Sequence, residues 1–471
     1  MVFSTSLFLL YFLPAFLVLY HITPHKYRNI TALVASMLFY IWGAPDFIFI
    51  LLGSILLDFY FSSKFERSAS RKLFFVLSLI LNVGLLAYFK YANFFVQNAN
   101  DLLHNLGFNR LGCTIVVLPI GISFFTFQKI TYSVDVYQGR SKPLKSIVDY
   151  ALYIMLFPQL IAGPIVRYNE ISEQLTNRKH NETYNNKLIG FYRFVIGLSK
   201  KVLIANSIGA YADSVFSLAP GDLSFISGWL GLLAYAVQIY FDFSGYSDMA
   251  IGLGKMIGFK FSENFNNPYI SKNITEFWKR WHISLSTCMR DYLYIPLGGS
   301  RAGNLKLYFN LWIVFLISGF WHGASWNFAA WGIFHGLFLS LDKLFLKNLL
   351  SRLGKGSVIV TFFIVLLSWV LFRTETLDYA LSFYKMLFNF NDYSISVELS
   401  SKTVFFLITG LIFSFLTLSK KGRKFEKFIF FSSDYKRFQH IMFTAAALIL
   451  FVICVGYINS QEFNPFIYFR F

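Results

Sequence analysis

His282 and His322 are the side chains on which a reaction in this chain could turn. His282 lies in EFWKRWHISLSTCMRDYLYIPL, residues 276–297, and His322 in a stretch from Leu307 to Leu341 that holds no Asp, Glu, Lys or Arg. A neutral imidazole takes a proton from a hydroxyl near pH 7, and burial away from water keeps it neutral. That chemistry suits acyl transfer to an alcohol. Metal ligation fits less well, because neither HxxxH spacing nor a third ligand lies near these two residues. A GxSxG nucleophile elbow is absent, no acidic residue is placed to make a serine triad obvious, and no histidine heads an HxxxxD motif.

The elements that must carry these residues follow from length and periodicity. Leu307 to Leu341 would form a helix of about 52 Å, too long for one crossing of roughly 30 Å of hydrocarbon. The small-residue stretch Gly319 to Ser325, which contains Trp321 and His322, is the natural break. His322 is therefore expected within or close to the bilayer, on irregular backbone shielded from lipid. Polar groups at that depth are costly and usually line a site, although a histidine satisfied by a backbone carbonyl is the plainer alternative. His335, 13 residues on, is turned about 140° from His322 around a helix and reads as structural. In residues 276–297 the periodicity is helical. Trp278, Trp281, Leu285, Cys288 and Tyr292 share one face; Lys279, His282, Ser286 and Arg290 share the other. Either this is an interfacial helix with its charges in water, or its polar face lines an aqueous cavity. His21, His25, His104, His180 and His440 lie in loops or at span ends and carry no signal.

Composition agrees with a membrane setting. Of 471 residues, 56% are hydrophobic, 20% aromatic and 14% charged, against about 25% charged in soluble globular proteins. The runs follow one another closely, so a single all-α polytopic domain over 1–471 is expected, with ten to thirteen crossings. Its parts are N-terminal spans over 1–110, a catalytic core over 111–346 with a re-entrant or amphipathic segment at 264–300, and C-terminal spans over 347–471. Phe3 to Tyr20 lacks a basic n-region and reads as a retained first span. The net charge of +18 is assigned to basic cytoplasmic loops beside anionic lipid, not to nucleic acid, since no basic stripe is interleaved with aromatics outside the spans. Basic clusters at Lys26–Arg28, Lys64–Lys72 and Arg140–Lys145 alternate with turns holding one basic residue, Arg110. That pattern places both termini outside and Lys420–Arg437 in the cytoplasm. Cys113, Cys288 and Cys454 are too scattered for a disulfide framework or a metal site. Three N-x-T triplets, at Asn29, Asn181 and Asn273, carry little weight, and no internal repeat is visible.

Three long segments carry a resemblance. FDFSGYSDMAIGLGKMIGF (Phe241 to Phe259), NFNNPYISKNITEFWKRWHISLSTCMRDYLYIPLGGSR (Asn264 to Arg301) and FLISGFWHGASWNFAAWGIFHG (Phe315 to Gly336), with PQLIAGPIVR (Pro158 to Arg167), are similar to the membrane-bound O-acyltransferase family. The likeness is to its bacterial AlgI-like branch, which serves alginate acetylation, with the DltB-like branch of teichoic acid D-alanylation more distant. The resemblance implies a ring of helices around a thinned centre with a tunnel between the two faces. It matches His322 to the essential histidine and His282 to the second active-site position. The C-terminal FIYFRF, Phe466 to Phe471, is similar to an FxYxxx motif of envelope acylation systems, which would make Tyr468 an acyl relay; an aromatic interface anchor is the alternative.

These readings, with what the resemblance implies, lead to the expectation of an acyltransferase of the bacterial inner membrane. No bound cofactor is expected; the donor is a cytoplasmic thioester, acetyl-CoA or an acyl carrier. His322 serves as general base, and His282 orients the acceptor or stabilises charge on the thioester carbonyl. Trp278, Lys279, Arg280, Arg290, Asp291, Trp321 and Ser325 are candidates for donor or acceptor binding. The implied partners are an extracytoplasmic esterase-like (SGNH) acetyltransferase and a cell-surface polysaccharide as final acceptor. D-alanyl or longer-chain acyl transfer is an alternative within the family. A transporter or flippase for a glycan precursor is the alternative outside it, and would show paired broken helices and internal symmetry.

Overall fold

A computed structural model describes residues 3–65, 70–112, 114–161, 163–301, 303–432 and 435–460. Helices account for all its regular structure, and no strand occurs among the described residues. In chain order the principal elements are α1 (Phe8–Ile22), α2 (Arg28–Gly43), α3 (Pro45–Ser63), α4 (Arg71–Asn105), α5 (Ile122–Tyr137), α6 (Ile147–Met155), α7 (residues 184–217) and α8 (Phe225–Met256). Then come the short α9 (Ile274–Arg280) and α10 (Ile283–Met289), followed by α11 (Asn304–His322), α12 (Trp326–Arg352) and α13 (Gly356–Arg373). The chain finishes with α14 (Leu377–Leu387), α15 (Ser401–Leu418), α16 (Lys420–Phe431) and α17 (Arg437–Ser460).

Eight of the described helices are long and apolar enough to cross a membrane, and α1 is apolar but shorter. The apolar stretches 113–130 and 148–166 do not form single long helices. The first becomes α5 from Ile122 onward, and the second stops at Met155 ahead of the four-residue helix Phe157–Leu160. Pro158 and Pro164 limit helix extension there. Depth in the protein follows the outer rim: α8 has 72% of its apolar window buried, whereas α4 and α17 have 11% and turn outward.

Without a hydrophobic force between helices in lipid, close backbone approach is what holds them, and small residues permit it. A Cβ on Gly197 would stand 2.5 Å from the Gly245 carbonyl oxygen, and one on Gly190 2.6 Å from that of Gly252, so α7 lies directly on α8. The same two helices are bridged by buried ion pairs: Lys201–Asp242, Arg193–Asp248 and Lys200–Asp248, each at 2.6 Å. Pairing is what allows charges inside apolar surroundings. α11 and α12 meet in the same fashion, with Gly319 against the Phe328 carbonyl and Gly332 against that of Phe315.

The expected single helix over 276–297 is instead two helices. His282 sits between them with φ 43° and ψ 55°, a left-handed conformation that ends α9 and starts α10 in a new direction. Asn264 causes the turn. Its carbonyl accepts the Ile283 N–H at 2.9 Å and its side-chain oxygen accepts the Ser284 N–H at 3.2 Å, which satisfies the first free donors of α10.

Candidate active site

α11 ends on His322, so its last carbonyls need partners from elsewhere. α4 supplies them. Lys90 Nζ donates to the Trp321 carbonyl, to Ser123 Oγ at 3.1 Å and to the His322 carbonyl at 3.5 Å, while Tyr91 OH donates to the Phe320 carbonyl at 2.9 Å. A cation is favoured at the negative pole of a helix. Gly323 then leaves in extended backbone, and Ser325 Oγ caps α12 by accepting the Phe328 N–H at 3.4 Å. Trp326 at the start of α12 donates from Nε1 to Asn98 Oδ1 of α4 at 2.9 Å. α4 thus grips the break on both sides.

The partners of the three imidazoles assign their tautomers. His322 Nδ1 lies 2.7 Å from the Ser318 carbonyl oxygen, which only accepts, so Nδ1 carries the proton and Nε2 the lone pair. His282 Nδ1 lies 3.1 Å from Asn264 Oδ1. The Ser284 N–H fixes that atom as oxygen, and Asn264 Nδ2 donates to Ser247 Oγ at 3.1 Å. His282 Nδ1 is therefore the donor, and its buried Nε2 is a lone pair without a partner among the described residues. His335 is the reverse: Trp278 Nε1, a pure donor, gives its proton to His335 Nδ1 at 3.2 Å, leaving the hydrogen on Nε2.

The Trp321 ring packs near both of the first two, 4.9 Å from His322 and 5.9 Å from His282. Trp331 and Phe372 close the far side of His322 at 4.9 and 5.3 Å, and Phe243 packs on His282 at 4.7 Å. The two imidazoles are near enough to interact electrostatically. His282 is 0% and His322 6% exposed. These are two buried imidazoles that, in their neutral forms, can take or share a hydroxyl proton.

Residues 123–352, which contain every part of this site except the α4 contacts and Phe372, match the membrane-bound O-acyltransferase family. Over the whole length of both chains the sequence is 40% identical to the probable alginate O-acetylase AlgI of Pseudomonas putida. The chain belongs to the membrane-bound O-acyltransferase family. It is 38% identical to the peptidoglycan O-acetyltransferase of Helicobacter pylori over 84% of this chain and 81% of that one. With the teichoic acid D-alanyltransferase of Bacillus subtilis it shares 30% identity over 48% of this chain and 60% of that one. The protein is a multi-pass membrane acyltransferase.

In this acyltransferase the other expected site residues are divided. Trp278 and Trp321 join the imidazoles, as described. Lys279 is exposed, and Arg290 has a 59% exposed side chain that bonds Asp291 at 2.7 Å. Asp291 also accepts from Arg167 at 2.5 Å, and Arg280 is held by Glu276 at 2.9 Å and the Asn266 carbonyl at 3.0 Å. Lys279 and Arg290 therefore do not share a face with His282, because the chain reverses at that residue. Ser325 serves as a helix cap. Tyr468 and the FIYFRF segment lie outside the described residues. No group of three His, Cys, Asp or Glu able to hold a metal occurs among the described residues.

Lys90, Tyr91, Asn264 and Ser284 are the parts that sequence reasoning passed over. Lys90 had a signal, as the one charged residue in a mostly apolar stretch from Leu73 to Val96. Behind Asn264 and Ser247 lies a cavity of about 520 Å³, walled by α7, α8, α15, α17 and the aromatic face of α16.

Proposed function

We propose that this acyltransferase is an O-acetyltransferase of the bacterial cytoplasmic membrane that draws acetyl groups from a cytoplasmic thioester, acetyl-CoA, for modification of a cell-surface polysaccharide. One observation carries the reading: two buried imidazoles, both with the lone pair on Nε2, face a common tryptophan at a helix break inside the matched family region. The relatives named for alginate and peptidoglycan acetylation supply the acceptor class.

His322 Nε2 accepts the hydroxyl proton while the hydroxyl oxygen bonds to the thioester carbonyl carbon. The carbon–sulfur bond then breaks, and the proton ends on the departing thiolate. His282 in its neutral form has no hydrogen on Nε2, so it cannot donate to a developing oxyanion. Its role is to orient the acceptor hydroxyl, by accepting its hydrogen bond, or to carry the proton towards sulfur. The cavity behind Asn264 is bordered by α16, the most basic helix, and supports donor approach from that side. The accepting hydroxyl is Tyr468, at the extracytoplasmic end of the chain, or a serine of an esterase-like (SGNH) partner that completes transfer to the polymer. Both termini lie outside the cell in this reading.

Replacing His322 with Ala, with expression and membrane insertion confirmed, abolishes polymer acetylation; retained acetylation sinks the mechanism. Purified protein turns over radiolabelled acetyl-CoA, whereas glycan-lipid binding without thioester turnover marks a transporter. D-alanyl transfer from a carrier protein is separated by offering both donors.

A further inference from the structure

We propose that Trp331 Nε1–H and His335 Nε2–H form the pocket that receives the thioester carbonyl oxygen, making both of them catalytic residues; the proposal rests on the acyl-transfer reading above. Both side chains are 0% exposed, and neither N–H has an acceptor among the described residues. A buried donor without an acceptor is costly, and a bound group or a water can supply the missing atom. Here there are two, four residues apart on one face of α12. Their ring centroids are 4.8 Å apart with the rings at 71°, so the two donors belong to one packed pair. Trp331 also packs on His322 at 4.9 Å, which places the pair beside the base.

Tautomers make the assignment chemically specific. Trp278 donates to His335 Nδ1, so Nε2–H is presented by a neutral ring and needs no proton from solution. Trp331 has no other state than donor. His322 and His282 offer lone pairs on the corresponding atoms. The pocket then holds two acceptors suited to a hydroxyl hydrogen and two donors suited to a carbonyl oxygen. As the hydroxyl adds, that oxygen gains negative charge, and fixed donors in a buried site stabilise it more than the starting thioester. The oxygen returns to a carbonyl when the carbon–sulfur bond breaks, so neither donor loses its proton. Trp278, which touches no reacting atom, is a positioning residue that holds His335 in the donating form.

The test uses full-length protein in proteoliposomes with radiolabelled acetyl-CoA. Trp331→Phe keeps a ring and removes the N–H; it lowers kcat by about 10²-fold or more with little change in KM, the effect of losing one such donor. His335→Phe behaves alike, while His335→Gln, whose amide retains a donor, recovers at least tenfold of the loss, on the order of one donor hydrogen bond. Wild-type kcat in Trp331→Phe, a loss confined to KM, or a Gln variant no better than Phe overturns the pocket. A second reading covers variants that fold poorly: in the His322→Ala background, the carbonyl stretch of bound acetyl-CoA moves to lower frequency, and adding Trp331→Phe reverses the shift. An unshifted stretch in His322→Ala also overturns it, the donors being filled by water alone. Absence of transfer by the wild-type protein overturns the acyl-transfer reading instead, whatever the variants do.

Discussion

Lys90 and His322 are joined at a helix end: the ammonium of one lies 3.5 Å from the main-chain carbonyl oxygen of the other and also bonds the carbonyl before it. The two residues come from α4 and α11, and the contact makes an intramembrane lysine part of the scaffold of His322, the proposed base. Removing that charge leaves carbonyls at the negative pole of α11 without a cation. Lys90→Met is expected to cost about 1–2 kcal/mol of stability, near the upper range for a cation at a helix C-terminus. Thermal unfolding of the purified protein checks this, and acetylation should fall in parallel as His322 loses its fixed position. An unchanged unfolding midpoint would show that the contact carries no energy.

Asn264 is the second such anchor. Its Oδ1 accepts from His282 Nδ1 at 3.1 Å, from the Ser284 N–H at 3.2 Å and from Ser284 Oγ at 2.9 Å. Asn264→Ala strands buried donors, each costing about 1–3 kcal/mol. The variant should lose stability by about 2–4 kcal/mol on the same basis and release the tautomer of His282. Transfer from radiolabelled acetyl-CoA is expected to fall 10- to 100-fold, the usual scale for removing a group that orients a site residue. Wild-type turnover would contradict the role given to Asn264.

His282 has two separable duties, backbone and imidazole. At φ 43° a β-branched residue is strained, by roughly 1–2 kcal/mol, whereas asparagine and glycine are tolerated. His282→Asn should therefore retain the turn and lose activity, while His282→Val loses both. Comparison of unfolding midpoints tests this. Equal midpoints for the two variants would mean that the left-handed conformation does not constrain the site.

The α11–α12 contact should be intolerant of a methyl group. A Cβ on Gly332 would lie 2.4 Å from the Phe315 carbonyl oxygen, and one on Gly319 2.2 Å from that of Phe328. Both clashes are with main chain, so the helices must part. Gly332→Ala is expected to cost about 1–3 kcal/mol as overpacking and to displace Trp331 from His322. Folded yield after detergent extraction reads the first effect and acetyl transfer the second. A fully folded, fully active Gly332→Ala would show that the helices yield freely.

Local chemistry determined a good part of this protein from its sequence. Apolar length and scarce charge dictate a helical membrane protein, because unpaired backbone groups cannot be left in hydrocarbon. The uncharged stretch from Leu307 to Leu341 had to break near Gly319–Ser325, and it does so at Gly323, with His322 as the last residue of its helix. The long motifs around His282 and His322 also sufficed to place the family. Other features needed the fold. Periodicity predicted one helix over 276–297, but Asn264 turns the chain at His282 and sends Lys279 and Arg290 to the surface. Lys90 reaches Trp321 across 231 positions, and Trp278 fixes His335 across 57. Which nitrogen of each imidazole holds its proton was decided by such partners alone, because a tautomer depends on the atom opposite the ring and not on neighbours along the chain.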